Sequence, residues 1–596
     1  MTRRTLGILG ALTAAAVLLA GCRTGGDLSF GRKNCTVVDV ATSPEKLALL
    51  TELAAEFNED EIDGKCVDVK VTRKASGGGA QLLADGWPDP EANGPQPVIW
   101  TPAASSWGAV VNQRLADKGQ PPVVPSDAKS FMLTPLVIAM PRPMATALGW
   151  PNTAIGYSDL LALANDPQGW AAKGHPEWGA FKLGKTNPNF STSALSATIA
   201  QYYAATGKVR DLSLEDVNNP QVEAAQRGVE SAVVHYGDTT LTFLNNLYRA
   251  DSRGVGLTYV SAVAVEEKSV IDYNTGNPDG ILDPGEKPRP PRTPLVAIYP
   301  KEGTLFSDNP LFVLDAPWVS AEERKAAQAF STFVQKPENQ RKVLTFGFRP
   351  GNPAVPLGAP VNAANGVDPA QPQTTLGLPS PAVLVRLVEK WGELRKGARV
   401  LLVIDVSGSM GDDAGNGESK LDLAKRAAII ALDQFKADDL VGLRVFSTQI
   451  SRQAPQDYVD LVPIAPISQN RERLIRQIDS LVPTNGTPLY TAAGASFDDM
   501  KKGFDASRIN AVLLLTDGQN EDPNNEDLDG LIRKLRSGSE GAAGGASTVR
   551  LFTIAYGQDS DLPVLKRIAE ASSGASYDAK DPTTINQVFT AVVSNF

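Results

Sequence analysis

Histidine and cysteine are nearly missing from this sequence: 596 residues carry two of the first and three of the second. His175 and His235 stand far apart, as do Cys22, Cys35 and Cys66. Zinc fingers, histidine-based metalloproteases, haem sites and Cys–His or Ser–His catalytic sets therefore lack their ligands and bases. No cluster of base, nucleophile and orienting group is visible, so the chain is not expected to be an enzyme. Long basic runs are missing as well. Lys+Arg number 57 against Asp+Glu 67, a formal net charge of -10, which excludes phosphate-backbone binding as a main activity and leaves no nucleic-acid partner expected. Beyond Ala20 no apolar run is long enough to span a bilayer. What is present is an ordinary globular composition, 42% hydrophobic and 21% charged, over a length that allows about four domain-sized units.

Arg3 and Arg4 precede the apolar stretch Leu6 to Ala20, which is the pattern of a secretory signal. It ends Leu19-Ala20-Gly21-Cys22, which resembles the lipobox of bacterial lipoproteins. That resemblance implies loss of residues 1–21, a diacylglycerol on Cys22, and a polar tether over 22–34. The expected location is the outer face of the cytoplasmic membrane, in the cell envelope. Cys35 and Cys66 each enter a strand-like run at the same end, Thr36 to Val40 and Val67 to Val71, with a helical pattern, Pro44 to Phe57, between them. If the two strands are parallel neighbours, a disulfide can form in the oxidising compartment, contributing on the order of 3 kcal/mol.

Gly351 to Pro381 is crowded with Pro, Gly, Ala and Asn and has no apolar periodicity, so it reads as a linker dividing the chain. Beyond it, short Val/Ile/Leu runs at Val400 to Ile404, Leu440 to Phe446, Ala511 to Leu515 and Val549 to Ala555 alternate with helical patterns. Such alternation predicts a doubly wound α/β domain with a parallel sheet covered on both faces. The first part is also mixed α/β, with a long central excursion that fits two lobes.

Ligands in a parallel sheet bind outside the carboxyl ends of the strands. There the first strand ends in Asp405-Val406-Ser407-Gly408-Ser409, Thr487 lies in a loop opening a helix, and Asp517 follows another buried strand. Two carboxylates and three hydroxyls are hard oxygen donors, suited to Mg²⁺ or, in its place, Mn²⁺ or Ca²⁺, with one position left for water or an incoming acidic group. These residues resemble the metal-ion-dependent adhesion site of von Willebrand factor A domains, over about Gly397 to Phe596. The resemblance implies metal contacts from Ser407, Ser409 and Thr487, with Asp405 and Asp517 acting directly or through water. It also implies a protein partner that brings an acidic residue to the metal.

In the first part, Ser76-Gly77-Gly78-Gly79, then Ser105 and Ser106, then Asn187 to Ser193 each precede a helical pattern. Ser and Thr at helix starts leave N–H groups suited to a small anion or carboxylate, so Ser76, Gly77, Ser105, Ser106, Asn187, Ser191 and Thr192 are candidate solute contacts. The region from Cys35 to Pro356 resembles bacterial extracellular solute-binding proteins of the two-lobed type. Two motifs mislead. Gly179 to Thr186 fits the phosphate-loop pattern, but Phe181 and Leu183 alternate inside it and Pro188 follows at once. Thr275 to Glu286 imitates a calcium loop, with Thr275 in place of the first aspartate and Pro288, Pro290 and Pro291 crowding its exit, so a polar hairpin loop is expected.

The expected architecture is α/β: residues 35–356 a two-lobed periplasmic-binding-protein-like domain, 357–396 a linker with a lead-in helix, and 397–596 a Rossmann-like von Willebrand factor A domain. The expected function is metal-dependent binding by an envelope lipoprotein. The alternatives are a solute receptor for an ABC-type transporter, and a scaffold for envelope assembly.

Overall fold

The computed structural model describes residues 35–596 except 60, 238, 281–286, 416, 452–455 and 539–547. The signal segment with Cys22, and the second half of the calcium-like loop, lie outside the described residues. Strand β1 (Thr36–Thr42) is followed by helix α1 (Leu47–Phe57), which buries Leu49, Leu50, Leu53, Ala54 and Phe57 at helical spacing. The chain returns as β2 (Lys65–Arg73), parallel to β1 with Thr36 opposite Val67. This register brings Cys35 to Cys66 as a disulfide with Cα atoms 4.6 Å apart. Serine at both positions should lower stability by about 3 kcal/mol in the loop-entropy account, read as a shifted urea midpoint. Helix α2 (Ser76–Ala84), strand β3 (Ile99–Thr101) and helix α3 (Ser106–Asp117) follow in the first lobe, with β3 on the other side of β1, and the chain later returns there with Phe312–Val313 antiparallel to β3 and the helix Ala321–Val334 packed on β1.

The second lobe starts at the long buried strand β4 (Met132–Pro141). It continues with β5 (Leu183–Thr186), α4 (Thr192–Thr206), β6 (Val233–Gly237), α5 (Thr240–Ser252), β7 (Ala262–Glu266) and β8 (Leu295–Ile298). In its sheet β4 is antiparallel to β7 and β8, while β5 is parallel to β6 and β7. Within the misleading phosphate-loop motif, Lys185 is a buried residue of β5 paired with Glu230, so no glycine-rich cradle forms there.

The segment read as a linker is laid along the first domain. Val361, Val367 and Leu376 are buried, Leu376 N–H donates to the Thr304 carbonyl (2.8 Å), and the Tyr203 hydroxyl donates to the Gly377 carbonyl (2.8 Å). Its prolines and glycines lack periodicity because the strap follows the surface beneath it. It leads into α6 (Pro381–Leu394), whose buried Leu384, Leu387 and Trp391 face the first domain's helices.

The second domain holds β9 (Gly397–Asp405), α7 (Lys420–Ala431), β10 (Leu440–Ser451), β11 (Gln456–Pro466), α8 (Leu489–Lys502), β12 (Arg508–Thr516), β13 (Val549–Tyr556), β14 (Ser576–Ala579) and α9 (Ile585–Val593). The sheet order is β11-β10-β9-β12-β13-β14. Val400, Leu402 and Ile404 pack into one core and Leu401 and Val403 into the other, the period of two expected of a strand covered on both faces. One strand departs from the expected parallel pattern. β11 pairs antiparallel with β10 at the edge, where its partly exposed residues give no continuous apolar run to read.

The second domain seats directly on the first. Lys396 N–H donates to the Tyr236 hydroxyl (2.9 Å), an Arg550 amine to the Val234 carbonyl (3.0 Å), and the Asn187 amide to the Ser594 carbonyl (3.1 Å). Gln587 of α9 reaches Asn93 of the first lobe (3.2 Å).

Candidate functional site

Parallel strands β9 and β12 end side by side, with Ile404 opposite Leu515, so Asp405 and Thr516 emerge together at the sheet's carboxyl edge. Asp405 is fully buried and accepts the Thr516 O–H (2.5 Å) and the Ser407 N–H (2.7 Å). The Ser407 and Ser409 hydroxyls lie 3.1 Å apart, and Ser409 donates to Asp517 (2.8 Å). Thr487, 1% exposed, faces Gly518: a side chain at that glycine would stand 3.1 Å from its hydroxyl. All five sequence candidates of this domain thus converge. Burial pushes the Asp405 carboxyl up to about 7, the neighbouring Asp517 adds to the push, and the two hydrogen bonds oppose it.

Two residues of this constellation escaped sequence reasoning. Thr516 orients Asp405, and Lys420 at the start of α7 gives its ammonium to the second oxygen of Asp517 (2.8 Å). Neither had a signal, because both contacts are made between elements far apart in the chain. Among the described residues no group of three or more His, Cys, Asp or Glu is gathered, so the cluster is hydroxyl-rich with two carboxylates. That donor set fits a hard divalent cation with waters completing its shell, and it does not suit zinc or copper. Contacts to the second lobe gather at the beginnings of β9 and β13, whereas the cluster sits at the strand ends, roughly 25 Å away along a nine-residue strand.

The first domain carries a second concavity. Ser76, Ser191 and Thr192 line a cavity of about 40 Å³ between the lobes, together with Glu45, Thr240 and Glu266. Gly77 lies where the lobes touch: its N–H donates to the Phe190 carbonyl (3.0 Å), and a side chain there would stand 1.9 Å from the Asn189 carbonyl oxygen. Only glycine lets the lobes meet so closely. The other candidates lie elsewhere. Ser105 N–H is held by Asp308 (2.6 Å), Ser106 is buried at the first turn of α3, and Asn187 is turned to the second domain. Each of these three belongs to a turn or an interface, which serine or asparagine at a helix start cannot reveal beforehand.

A two-lobed cleft and a sheet-edge oxygen cluster on a doubly wound domain define a protein of two binding modules. The sequence profile of the bacterial extracellular solute-binding proteins matches residues 38–349, and that of the von Willebrand factor type A domain matches residues 400–591. The chain belongs to the bacterial extracellular solute-binding protein family and carries a C-terminal von Willebrand factor A domain. Neither match indicates an enzymatic family. Uncharacterized proteins of Mycobacterium tuberculosis strains CDC 1551 / Oshkosh and ATCC 25618 / H37Rv are each 24% identical over 617 residues, spanning 99% of this chain and 82% of theirs. The periplasmic binding protein AfuA of Actinobacillus pleuropneumoniae, solved with fructose-6-phosphate, is 14% identical. It covers 61% of this chain and 99% of its own at a TM-score of 0.40. A von Willebrand factor type A structure from Catenulispora acidiphila is 22% identical, covering 33% of this chain and 42% of its own at a TM-score of 0.26. Among the described residues no helix is long and apolar enough to cross a membrane.

Proposed function

We propose that this chain is an exported recognition protein, tethered through a lipid on Cys22, whose von Willebrand factor A domain binds a partner by way of a divalent cation. The cation, Mg²⁺ or in its place Mn²⁺ or Ca²⁺, is held by Asp405, Ser407, Ser409, Thr487 and Asp517. When bound it supplies one open position for a carboxylate of the partner. The carrying observation is the convergence of two fully buried carboxylates with the Ser407 and Ser409 hydroxyls at the strand ends. Thr516 and the Ser407 N–H orient Asp405, while Lys420 holds Asp517 in place and offsets part of the local negative charge. The cluster's place opposite the second lobe leaves it reachable by a large partner.

The test is capture of the full chain on immobilised acidic peptides. Retention in Mg²⁺ that is lost with chelator and in Asp405→Asn supports the reading, and retention unaffected by chelator overturns it. A second reading, a solute receptor of the ABC-transporter type, is favoured by the polar cavity between the lobes.

A further inference from the structure

The inter-lobe cavity has a chemistry that a row of helix starts alone does not explain. Glu266, the last residue of β7, lines it at 8% exposure. Among the described residues its carboxylate meets no side-chain partner, only its own backbone N–H. Among the described residues no lysine or arginine lines the cavity, and the second acidic group there, Glu45, is held by the Ser43 hydroxyl. The adjacent cations are engaged elsewhere: Lys46 on Pro102 and Asn309, Lys268 on Asp272, and Arg349 on Glu267. Burial pushes its carboxyl up to about 8, with Glu45 adding to the push, so it is ionised at neutral pH only when a cationic group completes it.

The same cavity is rich in donors. Helices α2, α4 and α5 begin at Ser76, Thr192 and Thr240, so three positive helix ends converge there. The Ser76 oxygen already accepts the Ala103 N–H (3.0 Å) and the Thr192 oxygen accepts the Trp107 indole (2.8 Å). Each hydroxyl proton is thereby left to donate. A bare oxyanion would satisfy these donors but hold Glu266 protonated, and a simple cation would ionise Glu266 but waste the donors. A molecule carrying both an ammonium and a carboxylate satisfies both. About 40 Å³ holds only a few heavy atoms, given roughly 10–15 Å³ for one water.

We propose that the cavity between the lobes binds a small ammonium zwitterion, its nitrogen paired with Glu266 and its carboxylate received at the starts of α2 and α4. This rests on the solute-receptor reading above. The experiment is calorimetric titration of the full chain and its Glu266→Gln variant with glycine, the smallest such zwitterion, beside sulfate, molybdate and phosphate. The expected result is binding of a zwitterion to the parent, at least about tenfold weaker in the variant. The unliganded variant should unfold at no lower temperature, since it loses an unpartnered buried carboxylate; that separates lost binding from lost folding. Binding of an oxyanion alone, undiminished in Glu266→Gln, overturns the zwitterion and leaves the receptor reading standing. A zwitterion that binds both forms equally overturns the role of Glu266. Binding of neither class sinks both readings.

Discussion

Saturating Mg²⁺ should raise the unfolding transition of the second domain, and Asp405→Asn should abolish the rise. A ligand that binds only the folded state stabilises by about 2.7 kcal/mol at a hundred times its dissociation constant and about 4.1 at a thousand times. For a domain of this size that is roughly 5–15 °C. Asparagine keeps one acceptor, for the Ser407 N–H, and its amide can donate to the Thr516 hydroxyl where the aspartate accepted from it, so the variant should fold without cation. The cause lies in the burial of Asp405: in a metal-free site its carboxyl is pushed up to about 7, because water is excluded and Asp517 is near. A divalent cation at that place offsets both costs. Differential scanning with and without chelator reads the effect, and a transition indifferent to every divalent cation would remove the metal from the mechanism.

The second large effect is expected at Glu230. Its side chain is 2% exposed and gathers the Lys185 ammonium, the Tyr236 hydroxyl (2.6 Å) and the Trp391 indole (3.2 Å). Lys185 sits on β5 and Trp391 on α6, so one carboxylate ties the second lobe to the helix that leads into the second domain. Glu230→Ala leaves Lys185 fully buried with only Gln201 for company, and desolvation already lowers that lysine's pKa. Breaking such a buried pair costs about 3–5 kcal/mol, while replacing both partners by apolar groups is often close to neutral. Glu230→Ala should therefore lose that amount in urea unfolding, and the double variant with Lys185→Met should recover a good part of it. A loss below about 1 kcal/mol would show that the pair contributes little in place.

The oxygen cluster at the strand ends was readable because each of its five sequence candidates punctuates a pattern. Asp405 and Asp517 follow runs of buried aliphatics, and Thr487 opens a helix, so linear position already places them at the strand ends. Thr516 and Lys420 carry no such mark, since their roles depend on which strand lies beside which. Glu230 was equally silent: a glutamate on an amphipathic helix reads as solvated, and only the tertiary structure shows it buried under Trp391. Glu266 did have a signal, the first of two acids closing the run Ala262 to Val265, which is all buried. The helix-start serines divided for a physical reason. A cap satisfies backbone N–H groups whether or not a solute lies beyond it, so Ser76 and Ser106 look alike in sequence although only Ser76 lines the cavity.

The second domain holds both halves of a clamshell at once, Asn93 on one lobe and Asn187 and Tyr236 on the other. Any hinge motion changes the span between those anchors, which one rigid body cannot follow without releasing one of them. Were a solute to draw the lobes together, its occupancy and the seating of the second domain would be linked variables, and linkage is reciprocal. A pull on the distal domain would alter the affinity of the cleft by the same factor with which a solute alters the grip on that domain.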